Sequence, residues 1–170
     1  WNKYGTISFV NLSTARRIRV DGLKVLQQFN KDDSVILVSN HRSFFDFYVI
    51  SWITYRKTNM GNRSLFPVRS TFFYEGFLGL FVNFFAAGFA MFPPIMRSRD
   101  KKAFNQFALR RVNEELTIPG TVVGMHPEGT RKKEGDAYTF LKPRPGIGQL
   151  ALNNPQIKVL LDFVEDTTTE

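Results

Sequence analysis

Val35-Ile36-Leu37-Val38 is a continuous, largely β-branched apolar run, and Ser39-Asn40-His41-Arg42-Ser43 follows it without a break. Such a run marks a strand buried on both faces, as a parallel sheet requires. Phe44, Phe45, Tyr48, Val49, Trp52 and Ile53 then recur at helical spacing. A second buried strand is predicted over 121–125, and it too runs into polar residues, His126-Pro127-Glu128-Gly129-Thr130-Arg131. Two such strands, each releasing polar groups from its end, predict an α/β fold with ligands gathered at the strand ends.

The flanking segments fit this alternation. Residues 17–20 alternate charged and apolar side chains, as a half-exposed strand does. A short helix is expected over 22–29, closed by the polar turn Asn30-Lys31-Asp32-Asp33, and a polar loop over 58–64. Residues 101–116 read as an amphipathic helix with Phe104, Phe107, Ala108, Val112 and Leu116 on one face. Ile118-Pro119-Gly120 ends it. A short helix over 148–152 and a last strand over 157–164 complete the pattern. The expectation is a single α/β domain over 1–170, with a mixed, mostly parallel sheet flanked by helices. The chain starts without methionine and stops at Glu170, so we expect a fragment of a longer protein, with 1–15 a leader or linker.

Composition narrows the chemistry. The chain has 170 residues, enough for one real core. It contains no cysteine, which removes disulfides, thiolate zinc sites and a cysteine nucleophile. Two histidines make a histidine-based metal centre improbable. A formal charge of +8 implies an anionic partner, and the 18 phenylalanines, grouped in apolar runs, favour lipid over nucleic acid. Residues 76–96 carry no charge and are rich in phenylalanine. Their length would permit a membrane span. Asn83 and Pro93-Pro94 argue instead for a hydrophobic helix followed by a strand. That pair would form an acyl-chain groove, a face in the bilayer interface, or ordinary core.

His41 and Asp46 are the first chemical pair. Imidazole suits removal of a proton from an attacking hydroxyl, and a carboxylate would fix its tautomer. Five positions apart on one helix, the two side chains would diverge by about 140°. They meet if His41 sits in the turn before the helix and Asp46 in its first turn. Ser43-Phe44-Phe45-Asp46 matches a capping box, which folds the last carboxylate back toward the helix entrance. The plainer alternative is a capping aspartate beside an unrelated loop histidine. In the second block, Gly129 permits close approach of a ligand to the backbone, Arg131 offers a fork suited to phosphate, and Glu128 can accept from hydroxyls. A surface turn with a salt bridge is the alternative there. Arg97, emerging from an apolar stretch, is a third phosphate candidate. No carboxylate partner is apparent for His126 in its local sequence, and it is read as structural or solvent-facing.

Together and in this order, these segments resemble the glycerolipid acyltransferase family that includes lysophosphatidic acid acyltransferases (1-acylglycerol-3-phosphate acyltransferases). Val38-Ser39-Asn40-His41-Arg42-Ser43-Phe44-Phe45-Asp46 is similar to that family's histidine–four residues–aspartate signature, and Pro127-Glu128-Gly129-Thr130-Arg131 to its third motif. Residues 88–97 are similar to the second. The resemblance implies a glycerol-3-phosphate acyltransferase-like fold and transfer from acyl-CoA or acyl carrier protein to a lysophospholipid, 1-acylglycerol 3-phosphate foremost. It gives His41 as base, Asp46 as its partner, and Arg97, Glu128, Gly129 and Arg131 as acceptor ligands. No metal or organic cofactor and no nucleic-acid partner is expected, and the site would lie at a membrane surface facing the cytoplasm. Glycerol 3-phosphate or another lipid alcohol as acceptor, and a non-catalytic basic membrane-binding module, are the alternatives.

Overall fold

The computed structural model describes residues 18–61, 63–70, 76–88, 90–96, 101–131 and 141–162, with positions 4, 5, 8, 74, 136 and 139. In chain order the strands are β1 (Val35–Ser39), β2 (Arg63–Leu65), β3 (Val68–Arg69), β4 (Pro94–Ile95), β5 (Thr121–Met125) and β6 (Lys158–Asp162). The helices are α1 (Leu23–Leu26), α2 (Asp46–Lys57), α3 (Phe77–Ala87), α4 (Lys102–Leu116) and α5 (Gly146–Asn153). The main sheet runs β2-β5-β1-β6, and each of its pairings is parallel. β3 and β4 pair in parallel as a separate two-stranded sheet.

The alternation of side chains along β1 and β5 builds two cores. Val35, Leu37 and Val122 face Phe47, Tyr48, Ile50 and Trp52 of α2. Ile36, Val38 and Val123 face the other way, onto Val112 and Leu116 of α4 and Leu150 of α5. Val35, Ile36, Val122 and Val123 are sealed from water, each such side chain contributing about 1.5–3 kcal/mol of transfer free energy. Gly124 completes the packing, because a Cβ there would sit 2.0 Å from the Phe66 ring. Phe66 in turn meets Phe47 edge to face at 4.7 Å between centroids.

These two cores position the site. β1 leads into α2, which covers one face of the sheet, whereas β5 leads on to α5, which packs on the other. The chain therefore leaves neighbouring strands toward opposite faces, the arrangement at whose carboxyl ends open α/β sheets form a ligand crevice.

Several expectations need correction. Residues 18–20 are in no strand; Ile18 and Val20 lie irregularly against the first core. Arg63 and Ser64, expected in a loop, belong to edge strand β2, which is short and polar because only one neighbour pairs with it. On α4 the buried face is Ala108, Val112, Glu115 and Leu116, while Phe104 and Phe107 are exposed. Glu115 is buried because Arg111 donates to it at 2.8 Å, and Arg63 of β2 approaches at 2.7 Å as an ion pair by distance rather than an aligned hydrogen bond. Among the described residues the last strand spans Lys158–Asp162, an edge with Leu161 exposed.

The apolar segment divides as a helix, α3, followed by a strand, β4. No helix among the described residues is long and apolar enough to cross a membrane. The 11 residues of α3 span about 16 Å, against roughly 30 Å of bilayer hydrocarbon. Ordinary core does not describe α3 either. Phe77, Leu78, Leu80, Phe81, Phe84 and Phe85 are all exposed, Phe77 to 87 %.

Candidate active site

The crevice begins with the turn between β1 and α2. The first turn of α2 starts at Asp46, which is 1 % exposed. Its carboxylate reaches back over the helix entrance. Oδ2 accepts from the backbone N–H of Arg42 at 2.8 Å and of Ser43 at 3.0 Å, and Oδ1 lies 3.1 Å from the Ser43 nitrogen. This is half of the expected capping box. The reciprocal half differs, because Ser43 Oγ accepts from Phe45 N–H at 3.2 Å and Phe45, not Ser43, is the cap residue. Orphan N–H groups and the positive end of the helix both favour a carboxylate here.

That folded-back carboxylate catches the imidazole. His41 Nδ1 lies 2.9 Å from Asp46 Oδ2, with the histidine side chain 25 % exposed. A carboxylate that accepts here holds the proton on Nδ1, so the lone pair is on Nε2. The pair is a buried anchor with a partly wet working end.

A third group joins it across the crevice. His126, the first residue beyond β5, lies flat on His41, with ring centroids 4.2 Å apart and planes 11° from parallel. Its Nδ1 is 3.0 Å from Ser39 Oγ and 3.2 Å from the Ser39 carbonyl oxygen. Burial first, and then the neighbouring His41, push its pKa down to about 4; Asp46 and the carbonyls of Ser39 and Asn40 pull in the opposite direction. His126 therefore stays neutral near neutral pH. Of the two expectations for His126, structural or solvent-facing, the structure shows the first, in a half-buried ring: Val38↔Met125 pairing in the sheet brings two sequence-distant histidines to the same strand ends. His41, Asp46 and His126 each place one potential metal-ligand atom within 4.8 Å of the others. The Asp46 carboxylate already accepts from the Arg42 and Ser43 N–H groups and meets His41 Nδ1, and the near-parallel rings aim their nitrogens along separate planes.

A family model for acyltransferases matches residues 17–160. The chain belongs to the acyltransferase family. No curated protein and no solved structure matches it.

The remaining expected residues of this acyltransferase domain fall out unevenly. Glu128 is buried, its Oε1 accepting from Leu141 N–H at 2.8 Å, while Oε2 is buried with no hydrogen-bond partner among the described residues. The loop is closed behind it by Arg144 N–H donating to Pro127 O at 2.8 Å. Gly129 has φ 64°, the left-handed region that favours glycine. Arg131 is exposed, and no partner holds it among the described residues. Arg97 lies outside the described residues. The acyltransferase thus joins His41 to Asp46 directly, and sets Glu128, Gly129 and Arg131 on the loop from the adjacent strand. Sequence reasoning missed His126, and the signal available was its place immediately after a buried strand parallel to the one preceding His41.

Proposed function

We propose that this domain moves a fatty acyl group from acyl-CoA or acyl carrier protein to the free hydroxyl of a lysophospholipid, with 1-acylglycerol 3-phosphate as the foremost acceptor. The observation that carries the reading is the 2.9 Å contact between His41 Nδ1 and the buried Asp46 carboxylate. His41 Nε2 takes the acceptor's hydroxyl proton as that oxygen bonds to the thioester carbonyl carbon. The tetrahedral intermediate collapses, the carbon–sulfur bond breaks, and the thiolate leaves with the proton from the imidazolium. Attack is direct, so no acyl-enzyme forms and the step uses side chains alone. Glu128 Oε2, buried and with no partner among the described residues, accepts from an acceptor hydroxyl, and Arg131 and Arg97 hold its phosphate, with Gly129 letting the backbone come close.

The exposed phenylalanines of α3 and the net charge of +8 support work at an anionic bilayer surface, with the crevice on the cytoplasmic side. The same features favour one alternative, a non-catalytic membrane-binding module. His41→Ala separates them. Transfer of a radiolabelled acyl group from either thioester carrier should fall roughly a hundredfold to ten-thousandfold, with vesicle binding unchanged. Undiminished transfer would refute the base. Vesicle binding without transfer by the unsubstituted protein, across a panel of lysolipids, glycerol 3-phosphate and neutral lipid alcohols, would favour the module.

A further inference from the structure

His41 is held by less than its role demands. It lies on a connecting loop, and its single hydrogen bond among the described residues is the one from Nδ1 to Asp46. The torsion that swings an imidazole about its Cβ–Cγ bond has broad preferences, so one bond at one ring corner leaves the plane of the ring loosely set. A base whose other nitrogen must meet a hydroxyl in line needs that plane fixed.

We propose that His126 is a positioning residue, which fixes the plane of His41 by lying flat against it and bonding back to Ser39. The inference rests on His41 acting as the base. The two rings are within 11° of parallel at 4.2 Å, so rotation of His41 out of its plane would drive it into His126. His126 is itself anchored at both ends. Its backbone continues β5, and its Nδ1 reaches Ser39, which is 1 % exposed and closes the paired part of β1 opposite Asp162. Ser39, His126, His41 and Asp46 therefore form a closed circuit of contacts, from the end of one strand, through the neighbouring strand, to the start of α2. The base is referred to the rigid sheet rather than to its own loop.

The ring that does this must be flat and uncharged. When His41 receives the acceptor's proton, a neutral aromatic face attracts the new cation, whereas a second cation would repel it. Burial, and then the neighbouring His41, keep His126 neutral at working pH against the opposing pull of Asp46 and of the Ser39 and Asn40 carbonyls.

Two substitutions separate a flat face from mere filling of space. H126F restores an uncharged planar ring, and H126L supplies apolar bulk without a plane. With acyl-CoA and 1-acylglycerol 3-phosphate, kcat of H126L should fall roughly tenfold to a hundredfold below that of H126F, with KM for both substrates little moved. Melting curves verify that both are folded. The second readout needs no turnover. In proton NMR, the His41 ring resonances should be displaced upfield by the facing ring in the unsubstituted protein and in H126F, and should lose that displacement in H126L. Equal kcat in the two variants, a loss confined to KM, or an upfield displacement that survives in H126L overturns the proposal. If the unsubstituted protein transfers no acyl group to any acceptor, the proposed function fails, yet the NMR comparison still decides the positioning: displacement kept in H126F and lost in H126L supports it, and the same value in both overturns it.

Discussion

The loops that follow β1 and β5 leave adjacent parallel strands at the same end of the sheet, yet they are finished in opposite ways. In the first, the Asp46 carboxylate is saturated, taking two backbone N–H groups and the imidazole. In the second, Glu128 keeps one buried oxygen with no partner among the described residues, and Arg131 is exposed. A group whose task is to hold another is internally satisfied. A group that receives a ligand retains capacity, and a buried oxygen in that state costs about 1–3 kcal/mol until something donates to it. Under the proposed function, the contrast divides the site into a preassembled half and a receiving half.

The sharpest way to break the contrast is within the preassembled loop. Asp46→Asn keeps the shape, and the Arg42 and Ser43 N–H groups hold its amide oxygen toward His41, but the negative charge that stabilises the imidazolium is gone. Steady-state transfer should fall on the order of a thousandfold to ten-thousandfold, with the fold intact by circular dichroism. A loss of only a few fold would mean that the carboxylate's charge does not matter.

The seam between the loops is tested by acid. Folded His126 stays neutral down to about pH 4, whereas in the unfolded chain it takes a proton near pH 6.5. Between those values the unfolded state binds more protons, so stability falls as pH drops from about 6.5 to about 4, by on the order of 3 kcal/mol, and above 6.5 this group has no effect. Urea midpoints across that range should fall more steeply for the unsubstituted protein than for H126F. Parallel slopes would show that burial of this ring carries no such penalty.

Smaller effects probe the receiving half. Arg131→Ala should lower kcat/KM roughly tenfold to a hundredfold for 1-acylglycerol 3-phosphate, the worth of one charge-assisted contact, and spare a neutral monoacylglycerol. Equal loss with both acceptors would remove phosphate from its role. Gly129→Ala should lower stability by about 1–2 kcal/mol through left-handed backbone alone, since the nearest atom to an added Cβ is Arg144 Cγ at 3.7 Å. Its thermal melt measures this.

What could be read beforehand follows burial on two sides. Val35 to Val38 and residues 121–125 announce themselves because a doubly covered strand must be apolar at every position. Arg63 and Ser64 did not, because an edge of three residues can be polar and still pair. Periodicity found the helix of Lys102–Leu116, but not which stripe is covered: Glu115 is inside, neutralised by Arg63 and Arg111, and Phe107 is outside. The His41–Asp46 contact was legible because a local turn makes it. The His126 stack was not, since it depends on which strands become neighbours, and no local pattern encodes that adjacency.

Gly124 has a consequence that reaches this chemistry from inside the sheet. The Phe66 ring occupies the space a side chain at that position would need, and it rests on Phe47, the residue after Asp46. Even one methyl group on the middle of β5 would push through two aromatic rings onto the entrance of α2. The vacancy at Gly124 thus serves as a gauge block for the carboxylate, and the tolerance of the reacting end to sequence drift is decided several ångströms beneath it, in a place no substrate reaches.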